Sequence, residues 1–268
     1  MKITAIVVTY NEERRLEACL RSLEFCSQIL LMDIGSSDRS AEIAESCGVK
    51  VYHHSWVPVV EELWPQMVSM AENDWILRID PDEAIPPALG RDILEAIEHC
   101  DENVGLFYLP HQYYFIGKPI RTSAWGGIKY LPKVFHRDRV SLTGLVHLGI
   151  KCKDGFIWKE LPYNGNNALQ HYWIDSYHQL WDKHWRYIKL EGKSRYGNGE
   201  RFSLFYLFWE TARAFYDSAF RRRGWRGGYT GIFLTIFYTW YIFMGCLSLA
   251  LFQFRRFRSM HGMKSPMV

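Results

Sequence analysis

Two carboxylates, Asp80 and Asp82, flank Pro81 at the end of the apolar run Trp75-Ile76-Leu77-Arg78-Ile79. That run is rich in β-formers and reads as a buried strand. Pro81 cannot extend a sheet interior, so the strand ends there and displays both aspartates at its carboxyl edge. Ligands bind at that edge in open α/β sheets. Carboxylates two residues apart suit a hard divalent cation, Mg²⁺ or Mn²⁺, that also holds diphosphate oxygens. The alternative for an isolated Asp-x-Asp is a solvated acidic turn that caps the next helix.

Two earlier strand ends carry polar groups in the same way. Residues 3–9 read as a buried strand ending in Thr9-Tyr10-Asn11-Glu12, and residues 28–33 as a second ending in Asp33-Ile34-Gly35-Ser36-Ser37-Asp38. A helix with Leu16, Cys19, Leu20 and Leu23 at helical spacing separates them. Further elements follow: a helix closed by Gly48, a strand over 49–53, a helix over 61–72, the strand ending at Asp80, and a helix over 89–99 opened by Pro86-Pro87. Strands alternating with helices imply a parallel sheet with right-handed crossovers, a Rossmann-like nucleotide-binding half. All three polar strand ends then face one crevice. Helix N-terminal capping is the other reading of Asp33 and Asp38, and turn or first-turn roles are the other reading of Thr9 and Glu12.

The pattern changes after Asn103. Residues 106–116 and 129–137 read as longer, aromatic-rich strands, and the chain turns helical from Ser176. The expected organisation is an α/β domain over 1–175, divided near residue 100, followed by a helical extension over 176–268.

Charge is divided as unevenly as structure. The chain has 268 residues and a net charge of +3. Residues 1–182 hold 17 Lys and Arg against 25 Asp and Glu, a balance of −8; residues 183–268 hold 15 against 4, a balance of +11. An acidic front half needs a metal to receive an anionic substrate, whereas a basic tail suits an anionic surface. The six cysteines are scattered without a C-x-x-C pair, which argues against a zinc site or disulfide scaffold and fits a reducing compartment. No signal-peptide pattern precedes the first strand, so the front half is expected in the cytoplasm.

Residues 228–254 contain no charged side chain. About 20 apolar residues span a bilayer as a helix. Arg221, Arg222, Arg223 and Arg226 precede the stretch, however, and Arg255, Arg256 and Arg258 follow it. A single span would leave one cluster on the wrong side of the membrane. A re-entrant hairpin broken near Gly245, or helices lying in the interface, keeps both clusters with anionic headgroups and is the preferred expectation. Basic residues interleaved with an apolar run fit lipid better than nucleic acid.

Taken in order, T-Y-N-E at 9–12, D-x-G-S-x-D at 33–38, D-x-D-E at 80–83, Val146-His147 and His171-Tyr172 resemble a family 2 glycosyltransferase of the GT-A fold, nearest the lipopolysaccharide-core β-glucosyltransferase group. The resemblance covers nearly the whole chain, the arginine-flanked apolar end included. It implies an inverting, metal-dependent transfer of a hexose from a UDP-sugar to a lipid-linked or lipopolysaccharide-core acceptor at the cytoplasmic face of the inner membrane. Residues 1–100 would bind the nucleotide and residues 101–175 the acceptor. Thr9, Tyr10 and Glu12 would line the nucleotide pocket. Asp33 would accept from the uracil N–H, and Asp38 would fix the turn or the ribose. Asp80 would face ribose and metal, and Asp82 would ligate the Mg²⁺ or Mn²⁺ that neutralises the leaving diphosphate.

The sequence departs from the group twice. Relatives usually read Val-His-Glu where this chain has Val146-His147-Leu148, so His147 is the candidate for base or metal ligand, with a purely structural histidine as the alternative. Relatives also usually carry Arg-Asn where Trp64-Pro65 stands, which removes a cation before the fourth strand. Trp125, in a glycine-containing loop, is the one acceptor-site candidate among eleven tryptophans; His171 is a weaker candidate than His147, read first as packed with Tyr172 and Trp173. Two rival functions are a polyprenyl-phosphate glycosyltransferase, whose phosphate acceptor needs little base, and a degenerate, non-catalytic scaffold.

Overall fold

The computed structural model describes residues 2–142 and 150–260, with side chains to Arg258. In chain order the strands and α-helices are β1 (Ile3–Thr9), α1 (Leu16–Arg21), β2 (Gln28–Asp33), α2 (Ser40–Ser46), β3 (Val51–His53), α3 (Trp64–Met70), β4 (Trp75–Ile79), β5 (Glu83–Ala84) and α4 (Pro87–His99). Then come β6 (Val104–Phe115), β7 (Lys118–Pro119), β8 (Ile128–His136), β9 (Val140–Leu142), β10 (Ile150–Cys152), β11 (Ile157–Glu160), β12 (Leu169–Ile174), α5 (Tyr177–Gly197), α6 (Leu204–Tyr216) and α7 (Gly228–Met260). The chain divides into two compact units, Met1–Gln112 with Ile128–Trp173, and Tyr113–Gly127 with Ile174–Val268.

The first unit is built on a mixed sheet ordered β3-β2-β1-β4-β8-β6-β12-β5. The pairs β1–β2, β1–β4 and β2–β3 are parallel, and β4–β8 and β6–β8 are antiparallel. Strands buried on both faces read as near-continuous apolar runs, which is why β1 reads Ile-Thr-Ala-Ile-Val-Val-Thr without alternation. Ala5, Val7, Leu31 and Leu77 pack on one face with Leu16, Leu20 and Ile93. Ile6, Met32, Ile76 and Phe135 pack on the other with Trp64 and Met67. The central order places β2 on one side of β1 and β4 on the other, so the crossovers change direction at β1. This makes the carboxyl ends of β1 and β4 the topological switch point where a crevice opens.

In the second unit, α5 lies alongside α7 through Trp181–Phe237, His184–Tyr241 and Tyr196–Phe252 ring contacts at 5.1–5.4 Å. Partners advance together along both helices, so the two run parallel. Gly192 permits the close approach, since a Cβ there would stand 2.3 Å from the Ser248 carbonyl oxygen.

Several element bounds differ from expectation. The third strand is only Val51–His53, and the helix expected over 61–72 is a 3₁₀ turn, Val60–Leu63, followed by α3. The larger correction concerns the apolar tail, because the break expected near Gly245 does not occur and α7 runs unbroken from Gly228 to Met260. One glycine among apolar helix formers costs only about 1 kcal/mol relative to alanine.

Candidate active site

The loops after β1 and β2 are stitched together at the switch point. Asn11 adopts a left-handed φ of +56°, which asparagine tolerates better than most residues. In that conformation its side-chain oxygen accepts the Ser37 N–H at 2.7 Å, and its own N–H donates to Ser36 Oγ at 2.9 Å. Asp38 accepts the Glu13 N–H at 2.9 Å and both the N–H and hydroxyl of Ser40. Burial pushes the Asp38 carboxyl up, but these hydrogen bonds outweigh it and hold the group below its ordinary value. The Glu12 N–H donates to Ser40 Oγ, while the Glu12 carbonyl starts the turn into α1.

Asp33 lies beside Thr9 in the β1–β2 register. Its buried carboxylate accepts the Ser36 N–H at 3.1 Å, with His53 Nδ1 at 3.7 Å. The Thr9 hydroxyl is buried and has no hydrogen-bond partner among the described residues. Tyr10, just beyond the strand, is exposed.

At the end of β4 the aspartate pair diverges. Asp80 Oδ2 lies 3.0 Å from the ammonium of Lys133, a β8 residue only 1% exposed. The same ammonium lies 2.6 Å from Glu83 Oε2. Glu83 Oε2 also receives the Asp80 N–H, and Glu83 Oε1 meets His111 Nε2 at 2.8 Å and His171 Nδ1 at 3.4 Å. Asp82 turns the other way, with Oδ2 3.2 Å from His171 Nε2 and its side chain 27% exposed. The convergence follows from β12 pairing antiparallel with β5, which sets His171 opposite Glu83. The Tyr172 N–H then closes the turn on the Asp82 carbonyl at 2.8 Å.

Charges in this cluster offset one another. Burial pushes the Glu83 carboxyl up, but Lys133 and His111 overcome it and hold the group well below the usual carboxylate range. Burial acts on Asp80 likewise, and Lys133, with Arg78, brings it below its ordinary value. His111 is lowered because burial exceeds the pull of Glu83, whereas at His171 the carboxylates of Asp82, Glu83 and Asp80 outweigh burial and raise it. A third cation lies on the same face of β4 as Asp80. The Arg78 guanidinium stacks over the Trp64 ring at 4.7 Å, and its buried Nε has no hydrogen-bond partner among the described residues.

Three parallel strands, β2, β1 and β4, thus end side by side in loops that carry carboxylates. The sequence profile of glycosyl transferase family 2 matches residues 4–147, more than half of the chain. The chain belongs to glycosyl transferase family 2. Its sheet is accordingly the Rossmann-like sheet of a GT-A enzyme. An uncharacterized glycosyltransferase of Rickettsia bellii is 24% identical over 235 residues, covering 86% of this chain and 80% of the relative. The lipopolysaccharide core biosynthesis glycosyltransferase LpsC of Rhizobium meliloti is 24% identical over 239 residues, covering 86% and 85%. Among solved structures, S. aureus TarS in complex with UDP-GlcNAc overlaps 42% of this chain and 35% of its own, at 21% identity and a TM-score of 0.39.

Of the residues singled out in this glycosyltransferase, Thr9, Tyr10, Glu12, Asp33, Asp38, Asp80 and Asp82 all lie at the carboxyl ends of β1, β2 and β4 or in the loops that follow. Trp125 does not. It packs edge-on against His184 at 5.5 Å and Tyr238 at 5.2 Å in the helical unit. His147 lies outside the described residues. Sequence reasoning missed Lys133 and His111, and ranked His171 below His147 as mainly a packing residue. Nothing local to Lys133 in the strand Ile-Lys-Tyr-Leu-Pro-Lys-Val-Phe-His marks it as buried.

Proposed function

We propose that the chain transfers a hexose, with inversion, from a UDP-sugar to a lipid-linked or lipopolysaccharide-core acceptor at the cytoplasmic membrane face. The observation that carries this reading is the convergence of Asp33, Asp80 and Asp82 on the β1–β4 switch point with His171 drawn onto Asp82. A nucleotide lying across that crevice meets the Asp33 carboxylate and the unsatisfied Thr9 hydroxyl, both suited to hydrogen bonds from base or ribose. The basic, apolar tail and the likeness to a lipopolysaccharide-core enzyme support the acceptor class.

Two groups of side chains offer a divalent ion a seat. Glu83, His111 and His171 present ligand atoms within 4.8 Å of one another. That pocket already holds the Lys133 ammonium against Glu83, and a second cation there would face like charge. Asp82 and His171 fit better, because one carboxylate oxygen and one imidazole nitrogen lie side by side on a partly open edge. Asp82 and His171 would hold a Mg²⁺ or Mn²⁺ ion, which would supply positive charge to offset that of a leaving diphosphate. Glu83 orients His171 from behind, as carboxylates do for metal-binding imidazoles. Lys133 keeps Asp80 ionised and fixed, where it would accept from a ribose hydroxyl, and Arg78 on its Trp64 platform would supply fixed positive charge for the diphosphate. The guanidinium thereby replaces the cation absent at 64–65.

A screen of nucleotide sugars for Mn²⁺-dependent binding and transfer, with membrane lipid extract as acceptor, tests the assignment. UDP-hexoses are expected to bind, and Asp82→Ala is expected to abolish the metal dependence. Unchanged transfer by Asp82→Ala, or no binding of any nucleotide sugar, sinks the proposal.

A further inference from the structure

The helical unit contains a helix that turns its largest aromatic side chains to solvent. A surface helix normally buries an apolar stripe and shows water a polar one. In α6, Leu207, Thr211 and Ala214 face inward, while Phe205 (77% exposed), Phe208 (68%), Trp209 and Tyr216 form the outward face. Four of these rings, counting Phe220 just past the helix end, meet in two pairs. Phe205 stacks on Trp209, and Tyr216 lies 5.5 Å from Phe220 just past the helix end. Arg221, Arg222, Arg223 and Arg226 follow at once. Exposed aromatic rows of this size mark interaction surfaces, and aromatic rows bordered by arginine are the pattern of helices that lie in an anionic bilayer interface.

The same unit argues against α7 crossing the membrane. By length and composition α7 is apolar enough to span, and only 33% of its most apolar window is buried. Yet α5 runs parallel to it along most of that window, and carries Asp182, Arg186, Lys189 and Lys193 as one exposed stripe at helical spacing. At 1.5 Å per residue, α5 is roughly as long as the hydrocarbon core is thick. A transmembrane α7 would therefore carry that charged stripe through the bilayer. Further polar groups sit against the middle of α7: Arg195 pairs with Glu191 at 2.8 Å, and Glu191 accepts the Tyr241 hydroxyl at 2.6 Å.

We infer that the helical unit docks side-on to an anionic bilayer. The aromatic ridge of α6 enters the interface, the arginines at its end bind headgroup phosphates, and α7 lies in the membrane plane without crossing it. This rests on the membrane-facing part of the proposed function, but is read without any sugar donor, so its failure is separate from failure of the catalytic assignment.

The test uses the full chain and vesicles of phosphatidylglycerol and phosphatidylethanolamine, against vesicles of phosphatidylcholine alone. Binding is expected to be at least about ten-fold stronger to the anionic vesicles and to weaken with salt. The double variant Phe208→Ser/Trp209→Ser, and separately Arg223→Glu/Arg226→Glu, should each lose about ten-fold or more, with the circular dichroism spectrum and melting temperature retained. Trp209→Phe should keep binding, which separates a fold defect from loss of the ridge. A membrane-impermeant maleimide should label Asp182→Cys and Lys193→Cys in the bound protein and spare Trp209→Cys. Shielding of both α5 sites would mean a span and overturn the inference. So would vesicle binding indifferent to the ridge variant, including the case in which that variant instead dissociates a dimer.

Discussion

The Lys133 ammonium lies 2.6 Å from Glu83 Oε2, and both side chains are 1% exposed. Removing one partner of such a pair leaves an uncompensated buried charge, whereas removing both can be nearly neutral. Lys133→Met is therefore expected to cost about 3–5 kcal/mol in urea unfolding. Lys133→Met/Glu83→Gln should recover a substantial part of that loss. Strict additivity of the two single variants would show that the pair is not coupled.

His171 and Asp82 make the edge assigned to the metal. His171→Ala should weaken Mn²⁺ binding by at least about ten-fold, as loss of a ligand or its orienting partner does. Free Mn²⁺ measured by electron paramagnetic resonance reads this without turnover. Wild-type affinity in His171→Ala would remove the histidine from the site.

Arg78 on Trp64 is expected to act on the donor and to leave the acceptor alone. Arg78→Ala should raise the donor KM about ten-fold, equal to about 1.4 kcal/mol, with the acceptor KM unchanged. Trp64→Leu, which keeps bulk but removes the stacking face, should move the donor KM the same way by less. An effect confined to kcat would contradict this role.

Asp38 clasps the first two strand-end loops. Its folded pKa is depressed, so its contribution to stability is fully present above the unfolded value of about 3.9 and is lost as pH falls through the folded value. Asp38→Ala should cost about 1–2 kcal/mol at pH 7. The gap in melting temperature between variant and wild type should hold down to about pH 4 and close below it. A gap that persists undiminished at pH 2 would exclude the carboxylate as its source.

Gly192 sets the spacing of α5 and α7. A Cβ 2.3 Å from the Ser248 carbonyl oxygen must push the helices apart. Gly192→Ala should thus destabilise the helical unit by about 1–3 kcal/mol despite its better helix propensity. A stabilised variant in thermal melts would mean that the helices are not held this close.

What the sequence determined by itself is local. The ends of β1, β2 and β4 were legible because an apolar run followed by Asn, Gly or Pro can continue neither as strand nor as helix. Their order made the crevice predictable, and with it the clustering of Thr9, Asp33, Asp80 and Asp82. The tertiary structure alone decided which groups join them. Lys133 and His171 lie 53 and 91 residues beyond Asp80, and reach the pair only through the β4–β8 and β5–β12 registers. A one-residue slip in either would turn the side chain to the opposite face. The unbroken α7 belongs to the same class. Gly245 reads locally as a hinge, but one glycine costs little in a helix packed along α5 on both sides of it, and that packing is invisible in the sequence. The outward aromatic face of α6 is also a tertiary fact: the periodicity predicts an amphipathic helix, but not which face its neighbours cover.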